Sequence, residues 1–186
     1  MQHDFRNVVF ASPRLLIRAF RHGDVADAFR FGTATISRFM TWNPSPSLQT
    51  FTVVTESWQQ MMAAGTDLFA VARERSDESF VGVVGLHCEG HEPEIGIWVR
   101  EDLHRRGYGR EAIVATIAWA RETLGATSFL YPVVTVSEPS RRLAESLGGS
   151  VVGTRELAKP GGTLDEVVYR LPANGVASGP LTSTAD

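Results

Sequence analysis

An α+β fold, with a central mostly antiparallel sheet of about seven strands flanked by about four helices, is predicted from three observations. Three short β-type runs follow one another between residues 68 and 99 without a helical pattern between them. Apolar residues in 110–124 recur at helical spacing. Taken along the whole chain, the strand and helix signals fall in the order βααβββαβαββ, and 186 residues suffice to bury about two-thirds of the unfolded surface without disulfide or metal staples.

Arg14-Leu15-Leu16-Ile17-Arg18-Ala19 is a short strand signal, and Asp24 opens a helical pattern with Asp27 as a first-turn acid. Trp42-Asn43-Pro44-Ser45-Pro46 cannot continue a helix and reads as a loop. Ser47 is then placed to cap a second helix, running to about Ala64 and stopped by Gly65. Leu68 to Ala72 and Phe80 to Leu86 flank the polar stretch Arg73 to Ser79 as a hairpin, and Glu94 to Val99 adds a third strand to the meander.

From Arg110 to Leu124, Ile113, Ile117, Ala120 and Leu124 fall on one helical face. Phe129 to Val136 is a β-rich run, and Ser140 to Leu147 is a short helix ended by Gly148-Gly149. Val151 to Leu157 and Val167 to Leu171 close the sheet, with Leu157 to Glu166 read as a loop. Residues 1–171 are expected to form one domain. Beyond Pro172 nothing calls for burial, so 172–186 is expected to be a disordered tail.

Charged residues make up 21% and hydrophobic ones 43%, with a formal net charge of −3, which disfavours nucleic acid as the main partner. The N-terminus lacks the apolar core of a signal peptide, and no apolar stretch approaches a membrane span. With Cys88 as the single cysteine, no internal disulfide can form, and a reducing cytoplasm is the expected location. Cys88 itself reads as a strand-end thiol. His87 and His91 are four apart, but they sit in a hairpin connection without an evident third ligand, so no metal is expected.

The chemistry-bearing segment is His104-Arg105-Arg106-Gly107-Tyr108-Gly109-Arg110, a turn between a strand and a helix. Glycines let a backbone approach a ligand closely, and successive N–H groups then converge with the positive end of the helix on an anion. Arg105, Arg106 and Arg110 add cationic charge in the same turn, unless they are simply solvated. A diphosphate is the natural guest. The nucleotide P-loop pattern is absent, and the dinucleotide fingerprint fails at Ala112, which disfavours nucleoside triphosphates and NAD.

Over roughly residues 12 to 171 the chain resembles the GNAT acyltransferases, and among them the RimJ/RimL type. The resemblance rests on Arg14-Leu15-Leu16-Ile17-Arg18, Glu94-Ile95-Gly96-Ile97-Trp98-Val99, Gly107-Tyr108-Gly109-Arg110-Glu111-Ala112, and Ser140 to Gly148. It implies a GNAT fold with a splay between the fourth and fifth strands, where main-chain groups of Glu94 to Val99, Trp98 and Val99 among them, bind pantetheine like an added strand. It further implies that the backbone from Arg105 to Arg110 grips the pyrophosphate of acetyl-CoA. The family's turn begins with Gln or Arg, where this chain has His104.

The same resemblance implies an N-acetyltransferase that joins acyl-CoA and a primary amine, a protein N-terminus or a small amino compound, in a ternary complex. The family pattern Asn-x-x-Ser reads Ser137-Glu138-Pro139-Ser140 here, making Ser137 and Ser140 cofactor-contact candidates and Ser140 a proton donor to the departing thiolate, or else a capping hydroxyl. Because an ammonium has no lone pair, a base or water chain must take the amine's proton. Glu94 is the candidate base, sharing a strand face with Gly96 and Trp98, or else a solvent-facing strand residue.

Ala144 stands where the family's acidic tyrosine is expected. The departures at His104, Ser137 and Ala144 leave open a CoA-binding module of the same fold without turnover. Trp42 is read as lining the acceptor pocket or as core. A homodimer through the strand-rich C-terminal half follows from the resemblance alone.

Overall fold

The computed structural model describes residues 3–90 and 92–174. One eight-stranded sheet runs in the order β1-β2-β3-β4-β5-β6-β8-β7. The strands are β1 (Val9–Ala11), β2 (Leu15–Ala19), β3 (Asp67–Glu74), β4 (Phe80–His87), β5 (Glu94–Val99), β6 (Ser128–Val134), β7 (Ser150–Lys159) and β8 (Gly162–Pro172). The helices are α1 (Val25–Phe31), α2 (Ala34–Ser37), α3 (Leu48–Ala64), α4 (Tyr108–Leu124) and α5 (Glu138–Ser146). All neighbouring strands are antiparallel except β5 and β6, which form one parallel bridge, Glu94 to Leu130.

The expected order is present with additions. β1 and the one-turn α2 are too short to show periodicity. The expected loop Leu157 to Glu166 is a strand hairpin, in which Lys159 pairs with Gly162 across Pro160-Gly161. Two residues expected in the tail belong to the fold, since Pro172 ends β8 and Ala173 is buried with its amide on the Thr127 carbonyl. Residues 175–186 lie outside the described residues.

Local signals account for the helix ends. The Ser47 side chain accepts from the Thr50 amide, capping α3, and Gly65 at φ 72° stops it in the left-handed region that glycine tolerates. Ile113, Ile117 and Ala120 of α4 are buried, and each isoleucine contributes roughly 1.5–3 kcal/mol by leaving water. The α4 stripe covers one face of β5, where Ile95 is fully buried. The opposite face carries an aromatic layer in which Trp58 stacks on Phe69, Phe31 on Phe80, and Trp98 lies against Phe80 and Trp42.

Asp24 precedes α1 but makes no cap bond. It is buried and receives Arg18 at 2.7 and 2.8 Å, Arg73 at 2.8 Å and the Arg21 amide at 2.9 Å. Burial pushes its pKa up, but these three donors outweigh that and hold the carboxyl below its ordinary value. The cluster pins α1 to β2 and β3.

Candidate active site

The opening between β5 and β6 has a cause in the sequence. Leu130 donates its amide to the Pro93 carbonyl at 2.9 Å, so the groups of β6 that face β5 alternate from Leu130 to residue 132. Residue 132 is a proline, which has no N–H for the next rung, the Ile95 carbonyl. The strands separate from there toward their C-terminal ends. Along β5 the same alternation turns the main-chain groups of Ile97 and Val99 toward the gap, while those of Gly96 and Trp98 pair with β4.

Two expectations change accordingly. Trp98 does not face the gap, because its main chain pairs with Val83 and its ring packs on Phe80 and Trp42. Ile97, unremarked in the sequence, does face it beside Val99, and strand alternation counted from a paired rung is the signal that finds it.

At the end of β5 the chain makes a one-turn 3-10 helix, Glu101–Leu103, and enters the basic turn. His104 departs from the family residue yet has a structural part, since its ring donates Nε2–H to the Val99 carbonyl at 2.8 Å and closes the loop onto the strand. Arg105 at φ 63° and Gly107 at φ 83° are both left-handed, with Arg106 between them. Such alternation points neighbouring amides into one concavity. No side chain caps α4, so the amides of Tyr108, Gly109 and Arg110 lack an intrahelical acceptor.

Gly109 sits at an ordinary φ, and a Cβ built there would meet only Val99 and Leu143 at 3.8 and 3.9 Å, in normal contact. The fold therefore does not require glycine at this position, and the missing side chain leaves room for a ligand to approach the backbone closely. Arg105, Arg106 and Arg110 are exposed, and none joins an ion pair among the described residues. Uncapped amides, a bare backbone and three exposed guanidiniums could hold a pyrophosphate with further phosphate charge.

The turn is braced from behind. Glu111 accepts from Ser12 Oγ at 2.6 Å, from the Arg14 amide at 2.8 Å and from Arg14 Nε at 2.6 Å, while Arg14 also reaches the Arg106 carbonyl at 3.1 Å. Burial raises the Glu111 pKa, but these bonds prevail and lower it. Arg14 further covers the Tyr108 ring at 4.2 Å, and the Tyr108 hydroxyl bonds Glu74.

Across the sheet, Glu94 and Trp98 share the aromatic face, as strand alternation predicts, and the β4–β5 register runs without a bulge. Glu94 is not simply solvent-facing. Arg155 of β7 grips both of its oxygens at 2.8 and 2.9 Å and holds Glu166 of β8 at 2.8 Å. The bond to Glu94 raises the Arg155 pKa, overcoming the opposing effect of burial. Neither Arg155 nor Glu166 was marked by the sequence, because both lie in segments without a motif. Asn43 reaches the Pro160 carbonyl and Lys159 the Ser37 carbonyl, both at 3.0 Å, so the 38–47 loop and the end of α2 both meet the β7–β8 tip.

On the α4 side, Ser140 is half-exposed on α5, one turn before Leu143 and thus on the helix face toward Gly109. Ser137 is buried behind it. Ala144 is fully buried and offers no hydroxyl. Cys88 follows β4, and burial pushes its thiol up to about 11, away from reactivity. His87 pairs with Asp67, and His91 lies outside the described residues. A cleft of about 310 Å³ at Leu16, Arg18, Arg73, Glu74, Arg75 and Glu78 lies two strands away from β5, and Asp24 takes its two inner arginines.

The family described as an acetyltransferase (GNAT) domain matches residues 14–150. The fold is similar to that of Mycobacterium smegmatis RimJ in complex with CoA-disulfide, with a TM-score of 0.79 at 16% identity over 92% of this chain and 90% of that one. A ribosomal-protein-S5-alanine acetyltransferase from Vibrio fischeri gives 0.72 at 14% identity over 92% and 100%. The Vibrio cholerae spermidine N-acetyltransferase in complex with CoA and spermine gives 0.75 at 15% over 88% and 98%. No curated protein sequence matches. Among the described residues, no helix is long and apolar enough to cross a membrane.

Proposed function

The chain belongs to the GNAT acetyltransferases, and on that premise we propose that it is an N-acetyltransferase moving the acetyl group of acetyl-CoA to a primary amine, by direct attack in a ternary complex. The observation that carries this reading is the proline-opened gap between β5 and β6, ending on a turn of uncapped amides and unpaired arginines. In it the amides of 105–110 hold the pyrophosphate, Arg105, Arg106 and Arg110 meet the remaining phosphate charge, and Ile97 and Val99 bond the pantetheine amides.

Acetyl-CoA supplies an activated acyl carbon, and the chain's residues do the rest. Glu94 accepts the proton the amine must lose, directly or through water. Arg155 fixes that carboxylate in one orientation, leaving a lone pair on each oxygen for the proton. Ser140 donates to the sulfur that leaves. The 38–47 loop, with Trp42, and the β7–β8 tip border the acceptor side. The amine is a protein N-terminus or a small amino compound, the two kinds of acceptor that the similar folds are named for. Residues 3–174 act as one domain, the protein works in the cytoplasm, and it pairs as a homodimer through the C-terminal strands.

A screen for CoA thiol release, with acetyl- and succinyl-CoA against peptides, amino acids, polyamines and aminoglycosides, tests the activity and names the acceptor. Calorimetry with CoA tests the site. No CoA binding would sink the whole reading. A second reading, a CoA-binding module without turnover, is favoured by one observation, the buried Ala144 in place of a hydroxyl acid. Tight CoA binding with no acetylation across the panel would select it.

A further inference from the structure

Asp67, His87 and Glu94 form one row across three adjacent strands. Asp67 of β3 pairs in register with His87 of β4, and His87 pairs with Glu94 of β5. Directly opposite residues share a face, with Cβ atoms about 4.5–5.5 Å apart, so the imidazole stands beside the candidate base. One end of the ring is held. Asp67 Oδ1 meets His87 Nδ1 at 2.5 Å, and Thr66 Oγ1 donates to Asp67 Oδ2 at 2.6 Å, so each carboxylate oxygen has a partner. An ionised carboxylate only accepts, so Nδ1 carries the proton of the neutral ring and Nε2 keeps the lone pair. That nitrogen leans over bare sheet. A Cβ built on Gly85 would meet His87 Nε2 at 3.5 Å and Cε1 at 3.9 Å, and the residue opposite Gly85 is Gly96, where a Cβ would meet nothing within 4 Å. Gly96 lies between Glu94 and Trp98 on the same face, so open space adjoins both the carboxylate and the imidazole.

We propose that His87 is a second proton acceptor in the transfer, with Asp67 as its positioning residue. The assignment rests on the acetyltransferase reading. A primary ammonium must lose two protons to become an amide. Glu94 takes the first, which frees the lone pair that attacks the thioester carbonyl carbon. As the carbon–nitrogen bond forms and the carbon–sulfur bond breaks, the electron pair of the broken bond stays on sulfur, and nitrogen gives its second proton to His87 Nε2. One of the two protons ends on the sulfur and the other in solvent, so charge and atoms balance. The imidazole side chain is 46% exposed and can pass its proton to water directly.

A base lost from a reacting nitrogen can be replaced from solution, whereas a structural side chain cannot. His87→Ala should lower kcat on the order of a hundredfold, with KM for acetyl-CoA within about twofold, and added imidazole should restore roughly tenfold of the loss. His87→Gln, which can keep a hydrogen bond to Asp67 but offers no base, should show the same loss without rescue. Asp67→Asn should lose on the order of tenfold, since the ring stays but its tautomer is no longer held. A kcat within about threefold of wild type in His87→Gln, or a loss in His87→Ala that imidazole leaves untouched, overturns the assignment while leaving the acetyltransferase reading intact. If the wild-type protein acetylates no amine, both fall together.

Discussion

Arg155 closes a two-pronged fork on Glu94, at 2.8 and 2.9 Å, from a strand that is not a neighbour of β5 in the sheet. The pairing spans β6 and β8 and ties the far edge of the sheet to the candidate base. Removing the carboxylate charge while keeping its shape is therefore the sharpest test. Glu94→Gln should lower kcat on the order of a hundredfold with CoA affinity unchanged by calorimetry. Full activity in that variant would move the base elsewhere.

Arg155→Leu leaves Glu166, whose side chain is 7% exposed, without its cation. Breaking such a pair should cost about 1–3 kcal/mol of stability, less than a fully buried pair because Arg155 and Glu94 keep partial contact with water. Urea unfolding measures this. Its kcat should fall as well, since the carboxylate loses its fixed orientation.

Pro132→Val restores the missing N–H opposite the Ile95 carbonyl. If the proline keeps the strands apart, one new ladder bond of about 1 kcal/mol will favour a closed sheet. The variant should then melt higher and bind CoA roughly fivefold more weakly, as that free energy must be given up on binding. Unaltered CoA affinity would show that the gap has another cause.

Arg105→Gly addresses the strain at φ 63°. A left-handed non-glycine residue costs about 1–2 kcal/mol, and glycine's greater freedom in the unfolded chain takes back about 0.5–1, so a gain of up to about 1.5 kcal/mol is expected. CoA affinity should drop and depend less on salt, since one guanidinium is lost. A more stable variant with unchanged, equally salt-dependent CoA binding would remove Arg105 from the anion site.

The pH dependence of stability should follow Asp24. Its folded pKa lies below the unfolded value, so its contribution is complete above about pH 4 and is lost as pH falls through the folded value. Asp24→Asn should cost about 3 kcal/mol at neutral pH by leaving Arg18 and Arg73 near an uncharged amide. It should also flatten the acid limb of stability measured by urea at successive pH values. An unchanged acid limb would assign that limb to other carboxylates.

The elements with strong local codes were readable from sequence. α3 carries its cap and its stop in Ser47 and Gly65, α4 carries a buried stripe, and the basic turn carries its glycines. β1 and α2 were not, since three or four residues cannot display a period. The β7–β8 tip was missed because Lys159-Pro160-Gly161-Gly162 reads as a generic loop, and only pairing shows that the strands continue to it. Site residues on one segment were found together, whereas the Arg155–Glu94 pair joins positions 61 apart and depends on sheet order. His104 was read as a weakened match, and its bond to Val99 gives the substitution a job the pattern could not reveal.

The three contacts that Glu111 makes with Ser12 and Arg14 have a kinetic side. A turn already anchored to the N-terminal edge of the sheet loses little conformational entropy when an anion settles on it. Encounter with CoA should then be governed by collision and charge attraction, not by a slow loop rearrangement, giving a single fast association phase whose rate falls with ionic strength.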